Sequence, residues 1–186
     1  MKRLILLYAP SAAGKTTVEK WLDSKYSNLQ RFVSSTTREP RVGEVDGVDY
    51  HFVSIEEFNN DKSIEAFIQI GSNENWKYGI STEEFSNIEN IAIMSVISLQ
   101  YVLDISTSAK KHGFHVDIIF LNVSKEERTK RMLDRGESID SIKARLDFED
   151  KYSIEEIKEK FPDIIVINGE QPVEKIQEEL SLKIGV

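Results

Sequence analysis

The sequence predicts an α/β protein in which a parallel sheet is covered by helices. Short apolar runs with strand character alternate with helical patterns along the chain, and this alternation is typical of βαβ units. At 186 residues and 40% hydrophobic content, the chain is long enough for one domain with a sizeable core. The runs predicted as core strands are residues 4–8, 91–97, 116–123 and 164–167.

The first predicted strand leads into a loop and then a helix, which is the order expected in a fold of the phosphate-loop NTPase type. The loop ends in Gly14, Lys15 and Thr16. Backbone N–H groups at a helix start can hold phosphate, Lys15 adds a positive charge, and the Thr16 hydroxyl is a predicted Mg²⁺ ligand. Ala9 stands where the pattern expects glycine, and a coincidental loop is the alternative. The predicted ATP-binding residues here are Ala9, Pro10, Ser11, Ala12, Ala13, Gly14, Lys15, Thr16 and Thr17.

Residues 33–52, with the sequence VSSTTREPRVGEVDGVDYHF, predict a second phosphate site. Arg38 and Arg41 lie on either side of Pro40, which keeps this segment extended because it disfavours helix at the residue before it. Planar guanidinium groups suit phosphate oxygens in a way that lysine does not. Tyr50 would bring a hydroxyl to the same pocket. The alternative is an ordinary polar hairpin with a solvated charge pair.

The composition excludes several classes of protein. A net charge of -8 argues against a broad nucleic-acid surface, since binding a phosphate backbone needs clustered positive charge. The absence of cysteine excludes a disulfide framework and a thiolate metal site. No apolar run approaches membrane-spanning length. We therefore expect a cytoplasmic protein with neither nucleic acid nor membrane as a partner.

A charged helical stretch over residues 125–150 predicts a lid. Arg131, Arg135 and Arg145 lie in it among acidic residues, where they could close over a bound phosphate. The alternative is that these arginines form exposed ion pairs, which contribute little energy.

A long insertion, residues 33–90, separates the first two predicted core strands and is expected to form a monophosphate-binding lobe. It contains short strands and a predicted helix over residues 55–58. No flexible linker or repeat interrupts the chain. We therefore expect lobes of one domain, residues 1–186, in a monomer or homodimer.

Together, these segments resemble the guanylate kinase family of nucleoside monophosphate kinases. The most specific match is SSTTREPR followed by GEVDGVDYHFVS, while residues 125–146 resemble the family's lid and residues 164–168 its last core strand. The resemblance covers nearly the whole chain. It implies that the γ-phosphoryl group of ATP is transferred to GMP, giving GDP and ADP, with Mg²⁺ as cofactor.

The resemblance also assigns residues to the phosphoryl donor. Lys15 would take the ATP phosphates, and Arg131, Arg135 and Arg145 would close over the transferring group and exclude water. These four residues are the predicted catalytic residues. Asn168, at the end of the last core strand, is added to the ATP-binding residues.

For the acceptor, the resemblance implies a pocket in which Glu65 reads the base. Its carboxylate would accept from the guanine N1–H and 2-amino group, a donor pair that adenine lacks. The alternative is a solvated glutamate on a polar lobe. The implied GMP-binding residues are Ser34, Arg38, Arg41, Tyr50, Glu65, Tyr78, Ser81 and Ser95.

The chain departs from the family where two aspartates are usual, because Ser95 and Ile97 occupy those positions. The change predicts a weaker preference for GMP over AMP. It also leaves two alternatives open, which are a catalytically weak nucleotide- or phosphopeptide-binding module and a kinase with a different monophosphate or sugar-phosphate acceptor. The intact Lys15 and Thr16 favour the enzyme over the binding module.

Overall fold

The computed structural model describes residues 1–40, 43–70, 76–149 and 153–185, and of residues 65–70 and 148–149 it describes the backbone only. Two predicted site residues are affected. Arg41 lies outside the described residues, and Glu65 is described only by its backbone, which belongs to a strand.

Within the described residues, five strands form the central sheet, and the four predicted core strands are among them. Across the sheet their order is Leu29–Arg31 (β2), Ile91–Val96 (β7), Lys2–Tyr8 (β1), Phe114–Asn122 (β8) and Ile165–Asn168 (β9). β8 and β9 pair in parallel, with Asn122 opposite Asn168. β2 was not predicted, because three partly polar residues give no apolar run.

The helices include the one predicted over residues 55–58. Several of the described helices follow a serine whose side chain accepts from the backbone N–H three residues further on, which satisfies an otherwise unpaired donor. The helices are α1 (Lys15–Lys25), α2 (Ile55–Asn60), α3 (Thr82–Asn87), α4 (Leu99–Lys111), α5 (Lys125–Asp134), α6 (Ile139–Glu149), α7 (Ile154–Lys160) and α8 (Val173–Ile184).

In the described part of the predicted lobe, four short strands form a second sheet. Its order is His51–Phe52 (β4), Ser35–Thr36 (β3), Trp76–Ser81 (β6) and Ile64–Ile70 (β5). β3 pairs with β4 in parallel and with β6 in antiparallel fashion. The turn before β4 is held by a carboxylate, because Asp46 accepts from the N–H of Phe52 at 2.9 Å.

The chain forms two compact units. The first comprises Met1–Leu4, Gln30–Met94 and Gln100–Val116, and the second comprises Ile5–Leu29, Ser95–Leu99 and Asp117–Val186. Each has fully buried apolar residues, such as Ile80 and Phe85 in the first and Leu121 in the second. Within the described part of the chain, no helix is both long and apolar enough to span a bilayer.

Candidate functional site

The loop between β1 and α1 has the backbone geometry of an anion-binding turn. Gly14, which caps the N-terminus of α1, has φ +103°, and Ala12 has φ +60°. Residues of positive φ alternating with ordinary ones form the concave nests of N–H groups that bind phosphate. The Lys15 ammonium donates to the carbonyls of Ala9 at 2.6 Å and Pro10 at 3.0 Å, so it lies across the loop.

The two alanines in this loop have different roles. Ala9, where the pattern expects glycine, is fully buried and does not have positive φ, so its backbone does not require glycine. Positive φ falls instead at Ala12, where an L-residue costs about 1–2 kcal/mol. Its methyl group packs against Met132, Ile142 and Leu146 of α5 and α6, and this contact offsets part of that cost.

Arg131 of α5 binds the phosphate loop directly. Its Nη1 donates to the carbonyl of Ala12 at 3.2 Å, and its Nη2 donates to the carbonyl of Gly169 at 3.1 Å. Its Nε donates to Glu127 at 2.8 Å, which orients the guanidinium from within the helix. At Gly169 a Cβ would lie 2.5 Å from the Val123 side chain, so only glycine permits the backbone to pass this close to Val123. The structure therefore brings the predicted catalytic Arg131 to the predicted ATP-binding loop.

The other two predicted lid arginines lie in more open positions. Arg135 follows the last residue of α5 and is exposed. Arg145, on α6, forms an ion pair with Glu137 at 3.2 Å. Their catalytic roles stay predictions.

The last core strand ends beside the start of α5. Asn168 is exposed, and its side chain accepts from the N–H of Glu170 at 3.0 Å. Glu170 in turn accepts from the N–H of Ser124, the N-cap of α5, at 2.7 Å. This backbone donor lowers the pKa of Glu170 below its ordinary value. The turn after β9 is thereby tied to the helix that carries Arg131.

In the first unit, Arg38 is a buried cation surrounded by acceptors. Only 5% of the residue is exposed. Its Nη2 donates to Glu44 at 2.8 Å, its Nη1 to the carbonyl of Glu39 at 2.7 Å, and its Nε to the Tyr78 hydroxyl at 3.3 Å. The Glu44 carboxylate raises the pKa of Arg38 further above its ordinary value, so the guanidinium is permanently charged.

Aromatic rings complete the surroundings of Arg38. Its guanidinium carbon lies 5.4 Å from the centre of the Tyr50 ring and 5.8 Å from that of Phe52. The Tyr50 and Tyr78 rings meet edge to face at 5.7 Å. Cation–π contacts favour a guanidinium at such distances. The structure therefore brings together three predicted GMP-binding residues, namely Arg38, Tyr50 and Tyr78.

Two predicted acceptor residues with hydroxyl groups lie in the same unit. Ser34 is buried, and its carbonyl accepts from the N–H of His51 at 3.0 Å. Tyr101 of α4 interacts with the Ser34 side chain, and burial raises the pKa of its phenol, which keeps it neutral. Ser81 caps α3 by accepting from the N–H of Glu84 at 3.4 Å.

Comparison with known proteins decides the family. The family model described as guanylate kinase matches residues 1–183. The chain belongs to the guanylate kinase family. The guanylate kinase of Clostridium perfringens (strain SM101 / Type A) is 34% identical over 178 residues, which cover 94% of this chain and 80% of that protein. The guanylate kinase of Rhodopirellula baltica is 35% identical over 150 residues, which cover 78% of this chain and 71% of that protein.

Solved structures agree on the fold. The crystal structure of guanylate kinase from Anaplasma phagocytophilum superimposes with a TM-score of 0.62 at 22% identity, covering 99% of this chain and 85% of that one. The α/β fold class and the guanylate kinase resemblance predicted from the sequence are therefore confirmed, as is the prediction of a phosphotransferase. Family membership implies ATP-dependent phosphoryl transfer.

The departure from the guanylate kinase pattern has a defined place in the structure. Ser95 is the second-last residue of β7, and its hydroxyl donates a short hydrogen bond to the carboxylate of Glu19 on α1. Ile97 lies one residue past the end of β7. A role for Ser95 in binding GMP stays a prediction.

Several residues of the site were not predicted from the sequence, among them Glu44, Glu19 and Tyr101. Glu44 could have been found, because it lies six residues after Arg38 in a segment already assigned to the acceptor. Glu19 and Tyr101 could not have been found from the sequence, because each lies in a helical pattern with no motif that marks it as a site residue. Only the contact of Glu19 with Ser95, and that of Tyr101 with Ser34, reveals them.

Proposed function

We propose that this chain transfers the γ-phosphoryl group of ATP to GMP, producing ADP and GDP. The observation that carries the proposal is the buried Arg38 guanidinium held by Tyr50 and Tyr78, in a guanylate kinase family member that retains Lys15 and Thr16. A buried, permanently charged guanidinium with aromatic walls suits a small anion such as a monophosphate.

On the donor side, Lys15 and Arg131 would bind and orient the ATP phosphates. Both already contact the loop carbonyls, Lys15 at Ala9 and Arg131 at Ala12. Fixed positive charges stabilise the charge that develops on a transferring phosphoryl group because they need no reorganisation during the reaction. Arg135 and Arg145 are proposed to join them when the lid closes.

Thr16 fits the predicted cation. Its hydroxyl lies on the exposed face of the first turn of α1, and hydroxyl oxygen is among the hard ligands that Mg²⁺ takes in nucleotide sites. When bound, Mg²⁺ neutralises phosphate charge and orients the phosphate chain.

On the acceptor side, Arg38 would bind the monophosphate, with Tyr50 and Tyr78 donating from their hydroxyls. A phosphate oxygen is already anionic near neutral pH, so no general base is needed. We assign Glu65 to the guanine and Arg41 to the phosphate. Ser34 and Ser81 would complete the pocket.

The setting of the reaction follows from its substrates. We propose a cytoplasmic monomer or homodimer that binds ATP and GMP, in agreement with the net charge of -8, which does not suit nucleic acid.

A coupled assay of ADP release tests the function. GMP, dGMP, AMP, UMP and CMP are offered in turn with Mg²⁺ and ATP. We expect the highest kcat/KM with GMP, and a fall of orders of magnitude in kcat for Lys15→Ala. If AMP, UMP or CMP gave a higher kcat/KM than GMP, that nucleotide would be identified as the acceptor instead of GMP. Tight nucleotide binding without ADP release would instead identify a binding module.

A further inference from the structure

Glu19 is held beside the phosphate loop by a residue of the central sheet. The Ser95 hydroxyl donates to the Glu19 carboxylate, and the next residue, Val96, accepts from the N–H of Ala9 at 3.1 Å. The end of β7 therefore runs alongside the start of the loop. All four residues lie in the second unit.

The position of Glu19 on α1 relates it to the predicted cation ligand. Thr16 and Glu19 are three residues apart on the helix, so they are neighbours on one face, with Cβ atoms about 5–6 Å apart. The first turn of α1 contains no acidic residue, which makes Glu19 the first carboxylate after the loop. Glu19 is partly exposed, whereas the nearby Val18 and Trp21 of the same helix are buried in the core.

A carboxylate in this position is better explained by binding to a hydrated cation than by a role in stabilising the fold. Mg²⁺ loses its waters reluctantly and keeps several of them in nucleotide sites, where they donate to nearby acceptors. Groups that bind metal-bound waters, or orient the ligands, tune metal affinity even though they do not touch the metal. A carboxylate whose rotamer is already fixed, as the Ser95 hydroxyl fixes Glu19, does this with a smaller entropy loss.

We propose that Glu19, oriented by Ser95, is a positioning residue for the divalent cation that enters with ATP, acting on the cation's water molecules next to Thr16. The inference rests on the proposed function, because it requires that the loop bind a metal–nucleotide complex. It gives the Ser95 hydroxyl a role on the donor side of the reaction. Ser95 acts through Glu19 in this scheme.

The test measures metal-dependent nucleotide binding rather than turnover. A non-hydrolysable ATP analogue is titrated into the whole protein by calorimetry, first in EDTA and then over a range of Mg²⁺ concentrations. Binding of Mn²⁺ in the presence of the analogue is followed by electron paramagnetic resonance. The variants are Glu19→Gln, Ser95→Ala and the double variant, with melting curves for each.

Asp23 provides the matched control. It lies on the same helix one turn beyond Glu19, is exposed, and loses the same charge in Asp23→Asn. We expect Glu19→Gln to weaken metal affinity in the nucleotide complex by about 10- to 100-fold, with binding in EDTA within about twofold of the wild type. Asp23→Asn should change neither. Ser95→Ala should give a smaller loss, and the double variant should be no worse than Glu19→Gln alone.

Four results would overturn the inference. Equal losses in Glu19→Gln and Asp23→Asn would show a general effect of charge. Equal losses with and without metal in Glu19→Gln would show a structural role. Unchanged metal affinity in Glu19→Gln, alongside metal-dependent binding by the wild type, would reject the inference while leaving the proposed function intact. A wild-type protein that binds no analogue with Mg²⁺ would reject both.

Discussion

Arg131 and Ala12 are joined by a hydrogen bond of 3.2 Å from the guanidinium Nη1 to the main-chain carbonyl. The donor lies on α5 and the acceptor lies in the phosphate loop, 119 residues earlier. The same side chain reaches the carbonyl of Gly169 after β9. One guanidinium therefore connects the loop, α5 and the turn that follows β9.

Replacing Arg131 should impair turnover more than folding. Arg131→Ala removes a fixed positive charge from the phosphate loop, and we expect kcat to fall by about 10²–10³. Arg131→Lys should recover only part of this loss, because one ammonium cannot replace a planar fork that holds Ala12 and Gly169 together. The control is Lys130→Ala, an exposed cation next to it on α5. Steady-state kinetics with ATP and GMP provide the comparison, and equal effects at the two positions would contradict a specific role.

Arg38 should act on the acceptor. We expect Arg38→Ala to raise KM for GMP far more than KM for ATP. The rise should correspond to a loss of about 1.5–3 kcal/mol in the free energy of GMP binding, because a charge-assisted contact is lost. Removing Arg38 also leaves Glu44 without its cation, so Arg38→Lys is the variant that preserves a partner for that carboxylate. Arg31→Ala, an exposed arginine on β2, is the control. Equal changes in both KM values would place Arg38 outside the acceptor site.

Substitutions at Gly14 and Gly113 should distinguish the effect of backbone strain on stability from an effect on nucleotide binding. Their φ values are +103° and +80°, and in both a Cβ would meet no atom within 4 Å. Alanine at either position should therefore lower the free energy of unfolding by a similar amount, about 1–2 kcal/mol. Each kcal/mol corresponds to a fall of about 2–4 °C in Tm. Only Gly14→Ala should also weaken binding of an ATP analogue, because Gly14 starts α1 at the phosphate loop. Melting curves and calorimetry give the two readouts, and a comparable loss of affinity in Gly113→Ala would refute the assignment.

Ser95→Asp should make stability depend on pH. The new carboxyl would face Glu19, and two like charges at hydrogen-bonding distance raise the pKa of one of them in the folded state. The folded protein then holds a proton more tightly than the unfolded chain. Stability is accordingly retained at low pH and lost as pH rises through the raised folded pKa. The loss is about 1.4 kcal/mol for each pH unit between the unfolded and the folded pKa.

Melting temperatures over a pH series check this, with Ser95→Asn as the uncharged control. A Ser95→Asp variant whose Tm has the same pH profile as Ser95→Asn would show that the two side chains do not meet.

Local patterns carried most of the fold prediction. The apolar run at residues 4–8 is buried throughout and forms the larger part of β1, and the helix predicted over residues 55–58 lies within α2. Such elements are readable because burial imposes a period on the sequence. β2 and the two-residue strand β3 have no period of their own. Their neighbours in the fold create them, so the sequence gives no local signal.

By itself, the sequence determined the α/β fold class and the family, because both depend on residue types at fixed local spacing. It also predicted the phosphate loop, the Arg38 segment and the lid. Only the tertiary structure decided which groups face one another. It placed positive φ at Ala12 rather than Ala9, brought Arg131 to the loop, and set Ser95 against Glu19. These contacts join residues as many as 119 positions apart, and their geometry depends on how helices pack on the sheet, which no local spacing encodes.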